Sequence, residues 1–148
     1  MVFAMAEVKL EVNTTPSAQT PTWKAIVDMT TATITGKNTT ETWTGLGNDG
    51  FQSALKTAIG KEITFDGKRA VGNEGNDYIF SLDDKVGEGA KTQLRLTFPQ
   101  ADDENNILLF PCSVDVTGMG GASTAVGTLS FTATSNGKWS WEKEVAEG

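Results

Sequence analysis

Residues 128–141 read Thr128-Leu129-Ser130-Phe131-Thr132-Ala133-Thr134-Ser135-Asn136-Gly137-Lys138-Trp139-Ser140-Trp141. Leu129, Phe131 and Ala133 alternate with Thr128, Ser130, Thr132 and Thr134. Successive strand side chains point to opposite faces, so this stretch predicts a strand with one apolar and one wet face. Asn136-Gly137 is the dipeptide best suited to a two-residue turn with positive φ, and it predicts a hairpin returning through Trp139 and Trp141. The same period of two recurs upstream. Leu94, Leu96 and Phe98 alternate with Gln93, Arg95 and Thr97, and Pro99 stops that strand. From Ile107 to Thr117 a further strand turns Val114 and Val116 inward against Ser113, Asp115 and Thr117. Val8, Leu10 and Val12 alternate with Glu7, Lys9 and Glu11 near the amino terminus.

The remaining segments fit around these strands. Residues 13–21 are polar with two prolines and read as a loop, and Trp23 to Thr35 reads as one extended region. Ile63 and Phe65 form a short strand that Asp66-Gly67 ends as a turn. Asn73 to Leu82 predicts a short helix crossing one end of the fold. Asp83 to Gly89, Asp102 to Asn106 and Gly118 to Gly121 read as a charged loop, an exposed acidic turn and a flexible connection. Seven or eight short strands with one or two short helices predict an all-β domain over 1–148, a β-sandwich or barrel-like fold.

Residues 36–60 break this pattern. Gly36, Gly45, Gly47 and Gly50 punctuate a long segment of weak periodicity, and loops of that length in a compact domain are commonly functional. It nevertheless carries Trp43, Leu46, Phe51, Leu55 and Ile59, which a disordered segment would lack. Phe51, Leu55 and Ile59 stand at i, i+4 and i+8, a spacing that predicts a short helix. Trp43 is either a plug for its own core or an anchor in a neighbour's pocket.

Composition excludes several functions. The chain has no His, so Ser-His-Asp and Cys-His catalysis and imidazole metal sites are ruled out. Its single cysteine, Cys112, cannot form a disulfide within the chain and reads as a small buried apolar residue. The net charge of −7 opposes sequence-independent duplex binding, which needs cations to replace phosphate counterions. The same charge does not exclude a protein past which DNA slides without sticking, since a negative wall repels phosphate. Asp83-Asp84 and Asp102-Asp103-Glu104 lack the spacing of a calcium loop and read as solvated tips. No apolar run reaches membrane-spanning length, and the amino-terminal apolar stretch is too short for a signal peptide. A soluble protein without cofactor, metal, membrane insertion or enzymatic activity is expected.

Several segments, taken in order, resemble a family. They are Trp23-Lys24-Ala25-Ile26, the Gly/Thr-rich loop ending in Gly60-Lys61-Glu62-Ile63-Thr64-Phe65-Asp66-Gly67, Arg69 to Ile79 with Gly72-Asn73-Glu74-Gly75-Asn76-Asp77, and Gly127 to Lys138. This order resembles the major tail tube proteins of long-tailed bacteriophages. The resemblance implies a tail-tube fold, a β-sandwich flanked by a short helix, whose copies form hexameric rings stacked into a hollow tube for DNA ejection. It implies a virion tail protein assembled in the bacterial host cytoplasm, with tail terminator, tape measure and tail-tip proteins as partners. Carried onto this chain, the subunit contacts fall on the loop at 36–60, with Trp43, Leu46, Phe51 and Leu55 as candidates, and on arms at 1–6 and 142–148. The lumen of such a tube is acidic, and Asp115, on a polar strand face, is the candidate lumen residue.

Two other readings share these observations. The inner tube of a contractile tail, tailocin or secretion system has the same ring logic. A carbohydrate- or receptor-binding module would use Trp139 and Trp141, which share one face of a predicted strand, as a stacking platform.

Overall fold

The computed structural model describes residues 4, 7–99, 106–121, 123 and 126–142. Ten strands follow in chain order: β1 (Lys9–Asn13), β2 (Trp23–Ala25), β3 (Met29–Gly36), β4 (Thr39–Trp43), β5 (Ser53–Ala58), β6 (Lys61–Lys68), β7 (Lys91–Thr97), β8 (Ile107–Gly120), β9 (Thr128–Ser135) and β10 (Ser140–Glu142). One helix, α1 (Glu74–Ser81), and two short 3-10 turns lie between β6 and β7.

The main sheet is antiparallel and runs β2-β1-β7-β8-β9-β6-β3. Strand β8 joins its two halves, pairing through residues 107–113 with β7 and through 112–120 with β9. Both halves give their alternate apolar residues to a single core. Val12, Leu94, Leu96, Leu108 and Phe110 come from one half, and Ile63, Phe65, Leu129, Phe131 and Ala133 from the other. Folding one sheet over on itself thus gives two layers with no break in the ladder of hydrogen bonds. The all-β reading of the sequence holds, and its strand alternations hold in β1, β7, β8 and β9.

The helix is fixed by the residues that predicted it. The Asn73 side chain accepts from the Asn76 backbone N–H at 2.8 Å, an N-cap that starts α1 at Glu74. Asn76 is fully buried and ties the helix to the end of β6 and the residues that follow it. Its amide donates to the Lys68 carbonyl (3.0 Å), while its carbonyl accepts from Arg69 Nη1 (2.8 Å) and the Ala70 N–H (3.1 Å). Arg69 also pairs with Asp77 at 2.7 Å. Gly75 lies directly on the backbone of β2, where a Cβ would collide with the Ala25 carbonyl. Ile79 and Leu82 then close this end of the core. Replacing Asn76 by Ala strands the Lys68 carbonyl and the Ala70 N–H away from water. A loss of about 3 kcal/mol is expected by urea unfolding; a loss below about 1 kcal/mol would show that water replaces the amide.

Four expectations are corrected. Asn136-Gly137 is not a hairpin. Strand β10 pairs with Ile107, Leu108 and Leu109 of β8, on the same side of β8 as β9. The returning strand of a hairpin would need an open edge of β9, and both edges are occupied, by β8 and β6. The dipeptide instead forms a bulge between two collinear segments, held by the Asn136 N–H on the Pro111 carbonyl at 2.9 Å. Asp66-Gly67 is no turn either, because β6 runs through it. Gly67 is there for close approach: a Cβ would lie 2.5 Å from the Asp28 carbonyl, where the start of β3 bulges over it. Trp23 to Thr35 is two strands, β2 and β3, parted at Ile26–Asp28. Gly118 to Gly120 belongs to β8. The acidic turn at 102–105 and the arms, apart from Ala4 and Glu142, lie outside the described residues.

Cys112 is buried in the core as expected, and desolvation pushes its thiol from 9.0 up to about 12. Burial favours the neutral thiol, so the unfolded chain releases this proton first. Its contribution to stability is complete below pH 9 and is lost as pH rises toward 12. Iodoacetamide at pH 8 should leave the folded protein unmodified and alkylate it on unfolding; rapid alkylation of the folded form would contradict the buried placement.

Candidate functional site: the projecting ribbon and the hydroxyl face

The segment 36–60 contains no helix. It is a two-stranded ribbon, β4 paired with β5, outside the main sheet. The spacing Phe51, Leu55, Ile59 misled because residues four apart share a face of a strand as well as of a helix. The Thr-rich β4 supplies the partner strand that decides the matter: Glu41 lies opposite Leu55 and Trp43 opposite Ser53.

This ribbon continues the β3–β6 pair. Gly36 faces Lys61, the Lys37 N–H donates to the Gly60 carbonyl at 2.8 Å, and Thr39 faces Ala58. A register shift at Thr39/Thr40 then follows. Strands β3 and β4 going out, and β5 and β6 coming back, therefore form one long ribbon whose inner half is sheet and whose outer half projects from it. The tip turns through Gly47, Asp49 and Gly50, all at positive φ.

The structure brings the four contact candidates together on this projection, and none of them belongs to the core. Trp43 is 50% exposed, Leu55 57% and Phe51 76%, while Leu46 at the tip is fully exposed. Pairing register sets Trp43 and Leu55 on one face of the ribbon as diagonal neighbours. Ile59 at the base is exposed too. Large apolar residues grouped on one exposed projection make it a candidate interaction surface.

Asp115 lies elsewhere, on the outward face of β8, exposed and opposite Thr132. The register carries this row across four strands as Thr33, Thr64, Thr132 and Asp115. The rows on either side read Thr35, Glu62, Thr134, Ser113 and Thr31, Asp66, Ser130, Gly118. This face therefore presents hydroxyls and three carboxylates, with cations at its margins: Lys37 reaches Glu62 at 3.7 Å, Lys68 ends β6, and Lys91 on β7 lies opposite Ser113. Glu62 and Asp66 were missed from the sequence because the turn assigned at Asp66-Gly67 cut their strand short. The alternation Glu62, Thr64, Asp66 was the signal that could have found them.

Trp139 packs against the core, and Trp141 follows it on β10. Trp139 packs on Phe110 at 6.2 Å between ring centroids, and Trp141, 43% exposed, on Phe98 at 5.8 Å. The Lys61 ammonium sits 4.7 Å from the Trp139 ring and 5.9 Å from the Trp141 ring. Both rings thus have a cation of their own chain beside them. Among the described residues no three carboxylate or thiol groups gather as a metal site, and Asp84 reaches only Lys85, at 3.7 Å. No helix among them is long and apolar enough to cross a membrane.

No protein-family model and no curated protein matches the sequence. The fold has relatives among solved structures. A chain in the C6-symmetric tail of an empty gene transfer agent particle matches with a TM-score of 0.73 at 14% identity, over 95% of this chain and 98% of that one. A chain in the virion of a native gene transfer agent particle matches at 0.68 and 13%, with the same coverage. The all-β architecture, with one α-helix among the described residues, is thus a fold found in the tail of a gene transfer agent particle.

Proposed function

We propose that this protein is the structural subunit of a phage or phage-like tail tube, forming hexameric rings that stack into a conduit for DNA. The observation that carries the reading is the end-to-end likeness to a chain of a C6-symmetric tail. Two features of the chain support it. The ribbon carries an apolar surface with no partner in its own core. The hydroxyl and carboxylate face, with Asp115 joined by Glu62 and Asp66, suits a lumen wall that repels phosphate and has few cations to trap it. The role is non-enzymatic and the site of action is the virion tail. The partners are other copies of the chain, with terminator, tape measure and tail-tip proteins setting the length and ends of the tube. Sheathed and unsheathed tails share this ring logic, and the non-contractile tube is the reading preferred here.

Negative-stain electron microscopy of the concentrated protein at neutral pH tests it. Rings or hollow tubes with sixfold views are expected. A protein that stays monomeric both alone and with tail-tip complex present would sink the reading.

A further inference from the structure

The folded-over sheet is covered by α1 beside β2 and by Trp139 against its core, but one flank stays open. The edges of the sheet, β2 and β3, do not join; β2 covers only Glu11 to Asn13 of β1, so the start of β1 and β3 lie on either side of a gap. The gap is an open slot of about 340 Å³. Val8 and Leu10 wall one side and Met29 and Thr30 the other, and the core residues Phe65 and Leu96 form its floor.

We propose that this slot receives the apolar ribbon tip, Leu46 and Phe51 foremost, of a second copy of the chain. The proposal rests on the reading of the ribbon as an assembly element. Three observations choose this occupant. First, the ribbon cannot serve its own slot. Strand β3 leads away from the slot, and the chain from Ala32 to Trp43 carries the tip roughly 35 Å off at about 3.3 Å per residue. Second, the area is of the right size. The exposed parts of Leu46 and Phe51 at the tip, with Trp43 and Leu55 behind them on the ribbon, offer on the order of 500 Å² of mostly apolar surface, a large part of the ~800 Å² per partner of a stable interface. Third, the charges are compatible. The tip from Thr44 to Gln52 carries only Asp49, and no residue lining the slot is charged, so docking buries no unpaired ion inside it. Knob and slot lie on different parts of one surface, so each copy that inserts its tip still offers an empty slot, and the contact propagates.

Leu46→Cys combined with Thr30→Cys tests this, with the buried Cys112 silent in both states of assembly. Oxidation should give a ladder of covalent multimers on a non-reducing gel, with at most dimers from either single variant. A cross-link confined to one chain would overturn the proposal. Tubes seen by microscopy without any ladder would overturn the slot and leave the assembly reading standing; neither tubes nor ladder would remove both. Filling the slot with Val8→Trp should abolish assembly while the monomer keeps its circular dichroism. Assembly of that variant at the unmodified level would overturn the proposal, as would a Phe3→Cys to Thr30→Cys link within one chain, which would give the slot to the amino terminus.

Discussion

A chain carrying both Trp43→Ala and Phe51→Ala should lose assembly entirely and keep its fold. The two side chains are half or more exposed on a ribbon that contributes nothing to the core. Their removal therefore costs the monomer no cavity, and the change in unfolding free energy should stay within about 0.5 kcal/mol, as for other surface positions. Assembly behaves differently. A buried aromatic anchor contributes 2 kcal/mol or more to an interface, and in the proposed ring each subunit makes the contact more than once, so two lost anchors compound around it. Sedimentation velocity should show a monomer where the unmodified chain shows large species. A double variant that unfolds would return Trp43 and Phe51 to the core. One that assembles normally would take the interface off the ribbon.

Phe131→Ala should have the largest effect on the monomer itself. Phe131 is fully buried on β9, the strand flanked by β8 and β6, and its ring stacks on Phe65 with centroids 4.6 Å apart and planes 21° from parallel. Truncation leaves a cavity where the two halves of the sheet meet, and the ladders on both sides of β9 hold the backbone from collapsing into it. A loss of about 3–5 kcal/mol is expected from guanidinium unfolding, a large part of the 5–15 kcal/mol that holds a domain of this kind. A loss under about 1.5 kcal/mol would mean that the neighbouring side chains move in to fill the space.

Sequence periodicity recovered what one strand can show by itself. The inward residues of β1, β7, β8 and β9 were legible because each strand has one buried face, and α1 was legible from Asn73 and the apolar residues that follow. What failed depended on partners. Asn136-Gly137 has the chemistry of a hairpin, but whether it turns depends on a free edge beside β9, which only the strand order reveals. Asp66-Gly67 has the same chemistry, and the approach of Asp28 holds it straight. Phe51, Leu55 and Ile59 fit two periods equally, and β4 chose between them. The candidate site was half legible. Large apolar residues in a Gly-rich segment pointed to the ribbon, and nothing in their spacing pointed to the slot between β1 and β3, whose walls lie far apart in sequence.

The continuity of β3 with β4 and of β5 with β6 has a mechanical consequence. A pull on the ribbon tip runs along the strand axes into β3 and β6, and from β6 into the ladder that joins it to β9 from Glu62–Thr134 to Lys68–Thr128. Hydrogen bonds loaded along the strands resist in shear, all at once, whereas a pull across the strands would open them one after another. A tip held in a neighbour would thus hand axial tension to the middle of the sheet in its stiffest direction, and a filament of such links would stretch little before it broke.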